Sequence, residues 1–123
     1  VAFGTLARFA RSAIRELRAE GLRVGLFRPI TLWPFPSDAL VTATAGARRV
    51  ACLEQNAGQM VDDVRLAVLG AAPVVSIGGI STDPAGFGIG ALLDTEVVRE
   101  RIVAAYEGRE VPRGVVRGRL SAA

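Results

Sequence analysis

A run of polar side chains, Glu54-Gln55-Asn56-Ala57-Gly58-Gln59, follows one apolar stretch and leads into another. At a strand end that runs into a helix N-terminus, such groups meet free backbone N–H donors and the positive end of the helix dipole, which together can hold an anion. Asn56, Gly58 and Gln59 are therefore candidate anion-binding residues. The structural alternative is that Asn56 caps the helix and Glu54 completes a local ion pair. The glycine-rich run from Gly78 to Gly90 is a second place where backbone amides can approach a phosphate. Gly86, Gly88 and Gly90 do not sit between a first strand and its helix, as a dinucleotide fingerprint requires, and a Walker motif needs a lysine that the chain lacks. A connecting loop is the simpler expectation for this run.

Other chemistry is limited by what is missing. The chain has no histidine, and all 15 of its basic residues are arginines. General acid–base work near neutral pH usually falls to histidine, and serine or cysteine nucleophiles need a histidine or lysine neighbour. A self-contained hydrolase or transferase is not expected. The single cysteine, Cys52, lies in an apolar run and reads as a core residue; one thiol forms no internal disulfide, and a reducing, cytoplasmic setting fits. A net charge of +3 with one Tyr and one Trp gives no platform for nucleic acid. No apolar stretch approaches the ~20 residues that span a bilayer, so no membrane partner is expected.

Four arginines, Arg8, Arg11, Arg15 and Arg18, fall within an ~80° sector of one helix. They read first as a solvated face, and alternatively as a surface for an acidic partner. The segment Arg28-Pro29-Ile30-Thr31-Leu32-Trp33-Pro34-Phe35-Pro36 carries three prolines in eight residues and three large apolar side chains besides Ile30. Such a stiff loop either folds back on its own core or docks on another chain. Arg28 is expected to form a structural salt bridge if buried. Leu66 and Leu69 fall opposite the core stripe of Met60, Val61, Val64 and Val68, which points to a helix at an interface. The candidate contact residues are Arg28, Leu32, Trp33, Phe35, Met60, Leu66 and Leu69.

The elements that must position these groups alternate. Val1 to Gly4 reads as the end of a buried strand. Thr5 can cap a helix with an apolar stripe from Leu6 to Leu17, stopped by Gly21, and Arg23 to Ile30 reads as a second strand. Ser37 can cap a short helix from Asp38 to about Thr44. Arg49 to Glu54 is a third strand, Gln59 to Leu69 a helix, and Pro73 to Ile77 a fourth strand. Asp94 or Thr95 opens a last helix that reaches Tyr106 and ends at Gly108. Near-continuous apolar strands alternating with helices predict a three-layer α/β/α arrangement with a mainly parallel sheet. Residues 1–108 form this α/β domain and 109–123 a loose basic tail. The start at Val1, inside a strand, reads as a piece of a longer polypeptide.

Two long motifs carry a family resemblance. Val24-Gly25-Leu26-Phe27-Arg28-Pro29-Ile30-Thr31-Leu32-Trp33-Pro34-Phe35-Pro36 and Leu53-Glu54-Gln55-Asn56-Ala57-Gly58-Gln59-Met60-Val61-Asp62-Asp63-Val64-Arg65 resemble, in order, signatures of the α subunit of 2-oxoacid:ferredoxin oxidoreductases, in the 2-oxoglutarate and branched-chain 2-oxoacid branch. Phe3-Gly4-Thr5-Leu6-Ala7-Arg8 resembles that family's opening strand and helix. The resemblance implies a transketolase C-terminal-domain-like fold and a role in packing and orienting subunits, with no catalytic, cofactor or metal residues in this domain. It implies a parent enzyme that uses thiamine diphosphate with Mg2+, iron–sulfur clusters and CoA to oxidise a 2-oxoacid and reduce ferredoxin. The implied partners are the other domains of the α subunit and the β subunit, in an oligomer. The alternatives are a module binding the phosphate of a nucleotide or CoA, or the C-terminal domain of another thiamine diphosphate enzyme.

Overall fold

The structure, a computed structural model, describes residues 1–56, 58–78 and 93–109. Six elements follow one another: α1 (Gly4–Ala19), α2 (Ser37–Ala43), β1 (Val50–Cys52), α3 (Met60–Val68), β2 (Val74–Ser76) and α4 (Thr95–Glu107). The two strands are parallel, with Val50 opposite Val74 and Cys52 opposite Ser76. Backbone bonds from Val50 N to Pro73 O and from Ile77 N to Cys52 O close the ladder at both ends, each 2.9 Å.

Two extended segments flank β1 on its other edge. The Val1 nitrogen donates to Ala51 O at 2.7 Å, and Leu53 N donates to Val1 O at 2.9 Å, the exchange expected of a parallel pair. Ala2 N in turn donates to Phe27 O at 3.1 Å. The stretch expected as a second strand, Arg23 to Ile30, thus lies alongside, but among the described residues this one backbone bond ties it to its neighbour and it forms no regular strand.

Side chains of β1 and β2 alternate between two apolar clusters, as the period of two along a strand requires. Ala51, Leu53, Val75 and Ile77 join Leu6, Ala10, Ala13, Leu17, Val98 and Ile102 of α1 and α4. Val50, Cys52 and Val74 join Leu40, Met60, Val61, Val64 and Val68 of α2 and α3. Helices thus cover both faces of the strands, and the α/β class is as the residue pattern predicts. Leu17, Leu40, Val64 and Val98 are fully buried, and each contributes about 1.5–3 kcal/mol relative to exposure.

The helix ends follow backbone chemistry more than the expected side-chain caps. Gly21, at φ +95, closes α1 with bonds from Gly21 N to Arg18 O and from Leu22 N to Leu17 O, a Schellman motif. Phe3, not Thr5, is the N-cap of α1, and Thr5 lies inside the first turn. Pro36 precedes α2, which starts at Ser37 without a side-chain cap. At α4 the expectation holds: Asp94 accepts a hydrogen bond from Val97 N at 2.8 Å, and Gly108 ends the helix at φ +73. The run expected as a glycine-rich loop, beyond Gly78, and the expected basic tail from 110 onward lie outside the described residues.

Candidate functional site

Beyond the carboxyl end of β1 stands Glu54, with a relative exposure of 2 %. Its carboxylate accepts backbone hydrogen bonds from Gln59 N at 3.2 Å, Met60 N, and Val61 N at 3.1 Å, the donors at the N-cap and first turn of α3. The Cys52 thiol donates to Oε2 at 3.8 Å and Asn56 Nδ2 to Oε1 at 3.5 Å. A buried charge is tolerated only with such partners, and the positive end of the helix dipole adds to them. Asn56 turns inward, its Oδ1 accepting from Gly58 N at 2.8 Å. The capping role expected of Asn56 therefore belongs to Glu54, and Glu54 caps a helix rather than forming an ion pair. The backbone donors expected to hold an external anion, at Gly58 and Gln59, are engaged by Asn56 and Glu54 of the same loop.

Two further contacts seal this corner. A Cβ on Gly78 would lie 1.7 Å from Glu54 O, so the end of β2 can pass over the Glu54 backbone only as glycine. Next to it, Arg101 of α4 is buried and donates to Ile77 O at 3.0 Å; burial pulls its guanidinium below the usual range. Residue-level reading missed Arg101, although it falls three residues after Val98 and so on the same helical stripe. Burial, and after it the charge of Glu54, pushes the Cys52 thiol up to about 12. At neutral pH it is a protonated core group, not a nucleophile.

The opposite end of β1 carries the opposite charge. Arg49 Nη1 donates to Ala105 O at 2.8 Å and to Tyr106 O at 3.4 Å, capping the negative end of α4. Arg48 stacks over the Tyr106 ring, 5.5 Å from its centroid.

The proline-rich loop divides its side chains. Pro29 is buried, and Phe35 is half-buried against the α2 and α3 cluster. Ile30 and Trp33 are each 93 % exposed, Leu32 is partly so, and the Trp33–Pro34 peptide is cis. Leu66 and Leu69 stand out from α3 into solvent, as their spacing predicted. Leu69 adopts φ +47, a left-handed conformation that a branched side chain rarely takes. Two expectations need correction. Met60 is buried in the core stripe and is not available as a contact residue. Arg28 is exposed and, among the described residues, forms no salt bridge, because the loop carries it outward rather than under the sheet.

Among the described residues no three His, Cys, Asp or Glu side chains converge as a metal site, and no helix is long and apolar enough to cross a membrane. One buried cysteine cannot supply the four thiolates of an iron–sulfur cluster, so the chain's own donors do not fit that cofactor. The fold and these contacts define an α/β domain in which buried Glu54 caps the N-terminus of α3 and buried Arg101 bonds the backbone beyond β2. Residues 1–85 match the family of the pyruvate:ferredoxin oxidoreductase core domain II, and the chain belongs to that family. It is 51 % identical over 67 residues to the ketoisovalerate oxidoreductase subunit VorB of Methanothermobacter thermautotrophicus, a match covering 54 % of this chain and 19 % of that protein. It is 32 % identical over 74 residues to the 2-oxoglutarate synthase subunit KorA of Methanothermobacter marburgensis, covering 60 % of this chain and 20 % of the relative. With the KorA subunit of Methanocaldococcus jannaschii the identity is 41 % over 64 residues, covering 52 % and 17 %. The chain thus spans about a fifth of the length of the relatives it matches. No solved structure matches it.

Proposed function

We propose that this domain serves contact and positioning, not catalysis, in a 2-oxoacid:ferredoxin oxidoreductase. In such an enzyme thiamine diphosphate with Mg2+ supports oxidative decarboxylation of the 2-oxoacid, iron–sulfur clusters carry the electrons to ferredoxin, and CoA takes the acyl group. The names of the relatives give ketoisovalerate and 2-oxoglutarate as the 2-oxoacids of this branch. The residues of this chain supply none of that chemistry in the proposal. Their task is to seat the domain against the rest of the α subunit and against the β subunit.

The observation that carries the reading is the exposure of Ile30 and Trp33, at 93 % each, on a loop stiffened by Pro29, Pro34 and Pro36. Burying two such side chains on a partner contributes roughly 1.5–3 kcal/mol each, and a stiff loop loses little entropy on docking. Leu32, Leu66 and Leu69 are further anchors, and Phe35 holds the loop on its own core.

The test is assembly of the full-length enzyme. Trp33→Ala combined with Leu66→Glu is expected to release subunits in size-exclusion chromatography while leaving the helical circular dichroism of the 123-residue chain unchanged. An intact, fully active assembly would remove the contact reading. Oxidation of a 2-oxoacid by the 123-residue chain alone, with all cofactors added, would remove the non-catalytic one.

A further inference from the structure

The four arginines of α1 do not stand on an open helix face. Arg8, Arg11, Arg15 and Arg18 form one wall of a cleft of about 340 Å³, and Arg28 stands on the facing segment. The floor is apolar: Ala7 and Ile14 of α1 meet Leu26. All five guanidinium side chains are exposed, and among the described residues none has a salt bridge. The two acids nearby on the same stretch of chain are committed elsewhere. Glu16 lies 3.6 Å from Arg99 Nε of α4, and Glu20 bonds the same guanidinium. Like charges three and four residues apart oppose helix formation, and here three such pairs follow in succession, the one acid among them, Glu16, turned to Arg99. Charge is thus sorted around α1, with acids toward α4 and arginines toward the cleft.

We infer that this cleft docks an acidic helical face of a partner polypeptide, its carboxylates paired in a row with Arg8, Arg11, Arg15, Arg18 and Arg28. The spacing argues for this occupant. Positions i, i+3, i+7 and i+10 spread the guanidiniums over ~15 Å along the helix. One small anion spans two or three of them. Glutamates three and four residues apart on a helix repeat at the same interval, and the arginine fork suits a carboxylate in two-point contact. The apolar floor suits the methylenes between those carboxylates. A nucleic-acid strand would gain from stacking, and among the described residues no aromatic side chain lines the cleft. The inference stands apart from the assembly reading above, which uses none of the residues that line this cleft.

The test uses the whole 123-residue chain and a labelled helix-forming peptide with glutamates at the matching spacing. Its counterpart with glutamine at those positions, a short duplex DNA and inorganic pyrophosphate complete the set. Fluorescence anisotropy is expected to show binding of the glutamate peptide that weakens at least about tenfold between roughly 50 and 300 mM salt. The glutamine peptide is expected not to bind. Arg11→Glu with Arg15→Glu should abolish binding, and Arg28→Gln should weaken it several-fold. Arg65→Glu, on α3 and away from the cleft, should leave it unchanged. Should the double glutamate variant lose helical signal, Arg11→Gln with Arg15→Gln carries the same expectation. Binding that survives both double variants, or that Arg65→Glu weakens equally, overturns the proposal. So does DNA or pyrophosphate binding as tightly as the glutamate peptide, and so does no binding of that peptide at low salt.

Discussion

Glu54 and Cys52 show how one residue's burial decides its chemistry. The Glu54 carboxylate is shielded from water but faces three backbone donors, at the N-cap Gln59 and at Met60 and Val61 of α3. Glu54→Gln keeps the size while removing the charge, and it turns an amide NH2 toward donors that have nothing to offer it. Charge-assisted bonds contribute about 1.5–3 kcal/mol each, and unsatisfied buried donors cost a similar amount. The expected loss is about 3 kcal/mol in urea denaturation, with fraying concentrated at the start of α3 in amide exchange. Cys52 gives a pH signature. Its thiol rises from an ordinary 9.0 to about 12 in the fold, because burial disfavours the thiolate and Glu54 repels it. Below pH 9 both folded and unfolded chains hold the proton, so the contribution is complete there. Between 9 and about 12 the unfolded chain ionises while the folded chain does not, and stability falls as pH rises. Stability of the natural chain should therefore decline more steeply than that of Cys52→Ala across this window. The native thiol should also resist thiol reagents at pH 8 until denaturant is added.

Elements are tied together by charges that bracket β1. Glu54 closes the N-terminus of α3 just past its carboxyl end, and Arg49 closes the C-terminus of α4 just before its start. Gly108 makes the second cap possible: at φ +73 it has no side chain, and a Cβ there would press to 3.0 Å from the Arg49 guanidinium. Arg49→Ala is expected to cost about 1–2 kcal/mol, the range for a charge on a helix end, while Arg49→Lys retains part of it. Chemical denaturation of the two variants side by side measures the difference. Such caps also mark how far the sequence could be read. The apolar stripe of α1, the core stripe of α3 and the short strands at Val50 and Val74 were legible because their signals are local periodicities. The Asp94 cap and the Gly21 and Gly108 stops were legible because they act within a few residues. Arg49 reaches 56 residues along the chain, and Glu54 skips past Asn56 to the helix. Neither leaves a local pattern, so Asn56 looked like the cap. The weakly paired Arg23–Ile30 segment read as a strand because its residues favour extension, while pairing depends on which backbone lies beside it in space.

At the scale of the molecule, the strands separate two apolar clusters that share no buried side chain. The alternation that assigns Leu53 to one face and Cys52 to the other could be inferred from any apolar strand flanked by helices. Which helices share a face could not, because it depends on pairings between α1 and α4 and between α2 and α3 that sequence order does not reveal. This division has a measurable consequence. Val98 of α4 and Val64 of α3 are both fully buried, on opposite sides of the strands. Truncating either to alanine removes two methylene equivalents and leaves a small void, an expected loss of about 2 kcal/mol each. Because no side chain touches both voids, the double variant Val98→Ala, Val64→Ala should lose the sum of the two to within about 0.5 kcal/mol. Leu40 and Val64 belong to one cluster, where α2 packs on α3, so repacking around one void changes the other. Leu40→Ala with Val64→Ala should therefore depart from additivity by more than about 0.5 kcal/mol. Urea unfolding of the three single and two double variants distinguishes these cases. Strong coupling across the sheet, or strict additivity within the α2–α3 side, would mean that β1 and β2 transmit packing rather than separate it.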